Sequence, residues 1–274
     1  MKIHKKKAVS LFIAGLFLTL TACTGNPDAE VLFREAKTNA ETISSCTAAY
    51  HNDLAFAANG KQFSFQNGNE IVYHGKPFAL KSNQTAQAGG KSTSMVTYTV
   101  ADNKGLWFYS DAGNGWQKTS AGNIDSSPRA QIDILRLLSN VKSEKYVRDL
   151  TLNSRKVQKL ELAFQTEVLR STIEAIVTSS GMGDGSKTIV QTLLDSAEDL
   201  YGYCYIDIAT GEITRIELDA TTVVSHIFKN IDGGSVSINV TKCVISGDIN
   251  NIGKAPAVEL PPQAAAAQSV EAAG

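Results

Sequence analysis

The 274-residue chain carries 26 Lys and Arg against 27 Asp and Glu, a net charge of −1, and no polybasic stripe. That balance gives no electrostatic reason to bind nucleic acid, and none to adhere to anionic lipid. Length alone allows one large domain or two small ones.

The N-terminus is the most informative segment. Met1 to Lys7 holds four lysines and no acid, Ala8 to Leu20 is almost unbroken apolar sequence, and the run ends in Leu20-Thr21-Ala22-Cys23. This is the layout of an export signal. As a helix, thirteen apolar residues rise only about 20 Å, too little for a bilayer core of roughly 30 Å, so a permanent transmembrane anchor is not expected. An ordinary secretory signal wants a small residue where Leu20 stands. The last four residues resemble a bacterial lipobox, which implies cleavage before Cys23 and a thioether-linked lipid on it. One acyl chain binds a membrane marginally and two hold firmly; a diacylglyceryl cysteine supplies at least two. Residues 1–22 are therefore read as a lipoprotein signal peptide and 23–27 as the lipidated tether. The mature protein is expected on the extracytoplasmic face of the bacterial cell membrane. Loss of Lys2, Lys5, Lys6 and Lys7 leaves 22 basic and 27 acidic groups, or −5.

A helix follows at about 28–44, capped by Asn26 or Asp28, with Leu32, Phe33, Ala36, Ala40 and Ile43 on one stripe. From Cys46 to Gln117 short segments rich in Thr, Tyr, Val and Phe are punctuated by Asn59-Gly60, Asn67-Gly68, Gly89-Gly90 and Gly113-Asn114-Gly115. These are hairpin signals. They predict strands near 47–57, 62–67, 70–80, 93–101, 105–111 and 115–119. A helix at about 128–140 starts with Ser127 as cap and Pro128 in its first turn. Strands at 145–152 and 156–164 turn at Asn153-Ser154.

Two apolar-faced helices are then expected. Residues 166–179 present Leu169, Ile173, Ile176 and Val177; residues 187–200 present Ile189, Val190, Leu193, Leu194, Ala197 and Leu200. Gly181 to Thr188, GMGDGSKT, lacks the Gly before Lys that a phosphate-binding loop needs, and it follows a helix. It reads as a flexible connector, with Gly183 and Gly185 giving a lid its freedom if one exists. A meander of strands 202–209, 212–224 and 235–246 ends the fold, with turns at Thr210-Gly211 and near Asp232-Gly233-Gly234. From Pro261 to Gly274 the Ala-rich chain has too few large apolar residues to pack and is expected to be disordered.

The meander sets Cys204 and Cys243 on opposite sides of its middle strand, roughly 10 Å apart by strand spacing, beyond the reach of a disulfide. Three buried thiols at Cys46, Cys204 and Cys243 are the favoured reading, with a bridge from Cys46 the runner-up. His51, His74 and His226 have no metal spacing, and no nucleophile elbow or Cys–His pair occurs. No cofactor and no catalytic residue is expected. The aromatic pair of strands sends Trp107 and Tyr109 to one face and Leu106 and Phe108 to the other. Cross-strand packing explains the rings; an apolar ligand site is the functional alternative.

About eleven antiparallel strands with a few helices make an α+β protein whose long sheet curls, its concave face covered by amphipathic helices. The order of lipobox, helix, hairpins and the pair Leu106-Trp107-Phe108-Tyr109 with Gly115-Trp116-Gln117-Lys118 resembles the LolA-like bacterial lipoproteins. So do Lys156 to Leu162, the helix pair, and the hairpin Tyr205 to Ile216. Within that group the chain is most similar to uncharacterised membrane-anchored lipoproteins of Gram-positive bacteria. The resemblance covers about 28–260. It implies a half-barrel over helices enclosing an apolar cavity for a lipid or acyl ligand, with Trp107, Tyr109, Leu169, Ile173 and Leu193 as candidate lining residues. Its alternative is an envelope sensor that binds a partner protein.

Overall fold

A computed structural model describes residues 28–170, 173, 174, 176, 177, 200–230 and 238–268. Helix α1 (Ala29–Glu41) leads, then six strands: β1 (Ser45–Ala58), β2 (Lys61–Gly75), β3 (Phe78–Ala88), β4 (Lys91–Asp102), β5 (Gly105–Asp111) and β6 (Gln117–Ser120). Short helices α2 (Pro128–Gln131) and α3 (Asp133–Leu137) and a 3-10 turn at Leu138–Asn140 connect to β7 (Val141–Leu152) and β8 (Arg155–Phe164). A further 3-10 turn follows at Thr166–Leu169. The remaining elements are β9 (Leu200–Asp207), β10 (Ile213–Asp219), α4 (Thr221–Asn230), β11 (Ile238–Asn250) and α5 (Pro262–Ala265).

The strands form one eleven-stranded sheet in the order β6-β5-β4-β3-β2-β1-β11-β10-β9-β8-β7, antiparallel at every junction. The sheet does not close: β6 and β7 are its edges. It is the α+β half-barrel that the resemblance implies, with helices on the concave face.

That face is apolar where helices seat on it. Asp28 caps α1, its Oδ1 accepting from the N–H groups of Glu30 and Val31 at 3.0 and 3.4 Å. Phe33, Ala36 and Ala40 of α1 are buried. They join Cys46, Ala48, Leu54 and Phe56 of β1, Ile71 and Tyr73 of β2, and Cys243, Ile245 and Ile249 of β11 in one core. Alternation along each strand places these residues on the same side. Ser127 caps α2, accepting from the Ala130 N–H, and Pro128 stands in the first turn. The expected single helix at 128–140 is broken at Ile132, which is extended (φ −107°, ψ 107°) and fully buried. Leu169, Ile173 and Ile176 are also fully buried in this core. The Gly181 to Ser186 connector and Leu193 lie outside the described residues.

Further assignments of the sequence reading change. Asn67-Gly68 is not a turn: β2 runs straight through it, and the chain reverses instead at the cis peptide Lys76–Pro77. Residues 221–230 form a helix rather than the end of a strand, so His226 is helical. The Asp219 carboxylate accepts from the Thr221 N–H at 3.0 Å at its start, and Val224, Ile227 and Phe228 face the core. The expected disorder after Pro261 also meets a difference. Residues 261–268 are placed, and Ala264 of α5 is fully buried.

Cys46, Cys204 and Cys243 are free and fully buried. Cys204 pairs with Ile216 on β10, and Cys243 with Leu54 on β1, so β10 separates the two thiols as the meander requires. Burial pushes the Cys46 and Cys243 thiols up to about 12. Both are therefore neutral and unreactive in the folded protein, since the thiolate is the nucleophile. Native protein at pH 8 should resist iodoacetamide at these positions while protein in denaturant reacts; rapid native labelling would contradict the packing. The sign of the pH effect follows. A folded value raised above the unfolded one stabilises fully below the ordinary thiol value of 9.0. That contribution is lost as pH climbs from there towards 12, so the urea midpoint should fall over this window.

Candidate functional site

Beyond the reach of the apolar packing, the concave face of β2, β3 and β4 turns polar. The residues of β2 that point inward are Tyr73, Ile71, Asn69 and Asn67 in succession, and alternation alone puts the two amides on the core side. Their cross-strand partners continue the row. Asn69 faces Gln84 and then Met95; Asn67 faces Ala86 and then Thr93. The result is an open groove of about 810 Å³ walled by α3 and the turn after it. Tyr50, Met95, Leu137 and Val168 supply apolar surface; Asn67, Asn69, Gln84, Thr93, Ser94 and Asn140 supply amides and hydroxyls.

A hydrogen-bond chain fixes the polar floor. Ser82 Oγ donates to Asn69 Oδ1 at 2.6 Å, and Asn69 Nδ2 donates to Asp133 Oδ2 at 2.7 Å. Arg136, one helical turn on, is ion-paired with Asp133 at 3.4 Å, so the two charges in the wall neutralise one another. Burial, together with the Asp133 carboxylate, pushes the Tyr50 hydroxyl up to about 12 and keeps it a neutral donor at physiological pH. Next to this floor, Asn52 stands opposite Asn67 on β1. Its Oδ1 is buried without a hydrogen-bond partner among the described residues.

The wall depends on a close approach. α3 sits on β11 at Gly247, where an added Cβ would lie 2.6 Å from Ile134 Cδ1 and 2.8 Å from the Ala49 carbonyl. Only glycine lets α3 come down far enough to present Asp133 and Arg136 to the groove.

Of the candidates read from sequence, Leu169 and Ile173 are in the packed core. Among the described residues of that segment, Val168, beside Leu169, reaches the groove. Trp107 and Tyr109 belong to the other face. Tyr98 and Tyr109 are buried in a second cluster, with Trp107, Trp116, Val96 and Val100 around them. Cys23 and Leu193 lie outside the described residues. The groove amides were missed, although their signal was present: they continue the period-two inward row of Ile71 and Tyr73. Among the described residues, no group of three His, Cys, Asp or Glu is placed to hold a metal, and no helix is long and apolar enough to cross a membrane.

No family model matches the sequence, and no curated protein matches it. Among solved structures, the chain is similar to LprF from Mycobacterium bovis, at 12% identity and a TM-score of 0.45. That likeness covers 86% of this chain and 98% of LprF. It is similar also to the Mycobacterium tuberculosis lipoprotein LppX, at 11% identity and a TM-score of 0.42, covering 85% of this chain and all of LppX. A third likeness is to the Pseudomonas aeruginosa MucA/MucB complex, at 12% identity and a TM-score of 0.31, covering 90% of this chain and 64% of that one.

Proposed function

We propose that the chain is a non-catalytic, lipid-anchored extracytoplasmic binding protein that takes an amphiphilic lipid or acyl ligand in its concave groove. The observation that carries this reading is the groove itself, about 810 Å³ open on the concave side of β2, β3 and β4. That volume lies within the range of small-molecule sites, roughly 300–1,000 Å³. The anticipated cavity was apolar, and the lining is mixed instead. Tyr50, Met95, Leu137 and Val168 suit hydrocarbon, while Asn67, Asn69 and Gln84 suit a hydrogen-bonding head. The sequence of residues 1–23 supports the anchor, which would hold the groove at the membrane surface where amphiphiles are concentrated.

The test is to fill the groove. Ala86 lines it, so Ala86→Trp adds a ring where the ligand would lie. Uptake of a fluorescent fatty-acyl probe should weaken roughly tenfold or more, the equivalent of about 1.4 kcal/mol, with the melting temperature little changed. Native mass spectrometry of wild type should show a co-purifying lipid that the variant lacks. Clean wild-type protein with no probe uptake would end the carrier reading.

A further inference from the structure

Among the described residues that line the groove, Asp133 and Arg136 are the charged ones, and both stand on the α3 wall. Each is committed within the protein. The Arg136 guanidinium spends Nε and Nη2 on the Ala130 carbonyl, the first at 3.0 Å, and its Nη1 faces Asp133 Oδ1 at 3.4 Å. All three nitrogens are thus turned to the chain's own acceptors, and the planar fork that would clasp an anionic head bidentately is spent. Asp133 is the member of the pair joined to the polar floor, its Oδ2 accepting from Asn69 Nδ2 at 2.7 Å. It is also the more covered one, its side chain 24% exposed against 60% for Arg136. The carboxylate is therefore the charge that an incoming head meets with less screening by water.

The floor itself is amide. Asn67 and Asn69 lie two residues apart on β2, and Gln84 pairs with Asn69 from β3. Strand geometry spaces these positions by roughly 5 Å across the sheet and 7 Å along it. Asn69 Oδ1 accepts from Ser82 and its Nδ2 donates to Asp133, while Gln84 Nε2 donates to Ser82 Oγ at 3.4 Å. An amide has two donor hydrogens and two acceptor lone pairs, so these bonds leave both kinds of capacity in the floor. A hydroxyl donates and accepts and matches such a floor. A carboxylate or phosphate only accepts, and an ammonium only donates. Either ion would strip water from floor groups that it cannot pair.

We propose that the groove selects amphiphiles whose head carries several hydroxyls and no net charge, an inference that rests on the carrier reading, and that the Asp133–Arg136 pair enforces the choice. The pair acts by cancellation. Asp133 repels an anionic head, and Arg136 removes the attraction that a lone carboxylate would hold for a cationic one.

The probes are monolauroylglycerol, laurate and dodecylammonium: neutral, anionic and cationic heads on chains of nearly equal length. Each competes with the fluorescent acyl probe for the full-length protein at pH 8. Wild type should bind monolauroylglycerol roughly tenfold tighter than either ion. Asp133→Asn keeps an acceptor for Asn69 and leaves the Arg136 charge uncancelled. Laurate should then gain about tenfold relative to monolauroylglycerol, and the gain should shrink at high salt. Arg136→Gln leaves the carboxylate alone and should favour dodecylammonium instead, so one variant reports if the other does not fold. Either ion binding wild type as tightly as monolauroylglycerol would overturn the selection and leave the carrier reading standing. So would an acyl probe that binds but that monolauroylglycerol does not displace, or variants that keep the wild-type order of ligands. Protein that takes up neither the acyl probe nor any of the three would end both.

Discussion

Gly247→Ala should destabilise the protein by about 3 kcal/mol, near the top of the range for overpacking a filled core. For a domain of this size that is roughly 6–12 °C in melting temperature. The reason is local: the new methyl meets Ile134 on one side and the Ala49 carbonyl on the other, and the carbonyl is backbone held by the sheet. α3 must lift, carrying Asp133 and Arg136 away from the groove, so ligand uptake should fall with stability. A double-mutant cycle separates this mechanism from a general loss of fold. Ile134→Ala alone should cost about 2–5 kcal/mol as a cavity. Combined with Gly247→Ala, the pair should cost less than the sum by about 1 kcal/mol, because truncating Ile134 makes room. Strict additivity would show that α3 is not seated on that glycine.

On the proposed lipid anchor, Cys23→Ser should abolish incorporation of a palmitate analogue in cells and leave residues 1–22 uncleaved. The thioether needs the sulfur, and the hydroxyl cannot replace it. If the proposed anchor is present, at about 0.8 kcal/mol per buried methylene the loss of its two chains removes nearly all the membrane affinity of a processed chain of net charge −5. Metabolic labelling followed by immunoprecipitation reads the outcome. Equal labelling of wild type and variant would remove the basis for the anchor.

The sheet was legible where turn residues coincide with real turns. Asn59 and Gly60 both adopt positive φ at the β1–β2 hairpin, and Gly89 and Gly90 do so at β3–β4. The same rule failed at Asn67-Gly68 because that glycine serves proximity. A Cβ there would stand 2.9 Å from Thr85 Oγ1 on the neighbouring strand. Helix α4 was hidden by its β-branched start, Thr221-Thr222-Val223-Val224, which favours strand locally. Burial of Val224, Ile227 and Phe228 on a helical spacing outweighs that propensity. The groove was half legible. Its inward amides follow from alternation once the strand register is fixed, but the misread turn at residue 67 shifted that register. The packing of residues 258–264 was missed because Ala-rich composition argues against it, whereas Val258, Leu260 and Ala264 need only a ready-made aromatic floor.

The junction of β1 with β11 has a consequence for how the polypeptide matures. Thr47 lies opposite Asn250 and Ala58 opposite Ile238, contacts spanning about two hundred residues of sequence. Pairings of that range close slowly. As the chain is synthesised with its N-terminus first, the 14-residue β1 can zip to β2 at once, yet its other margin stays bare until β11 arrives. A nascent molecule therefore spends its waiting time with a long unsatisfied border of N–H and C=O groups, the kind that recruits neighbours into aggregates. Biogenesis, more than the finished structure, sets the interval in which this protein is vulnerable.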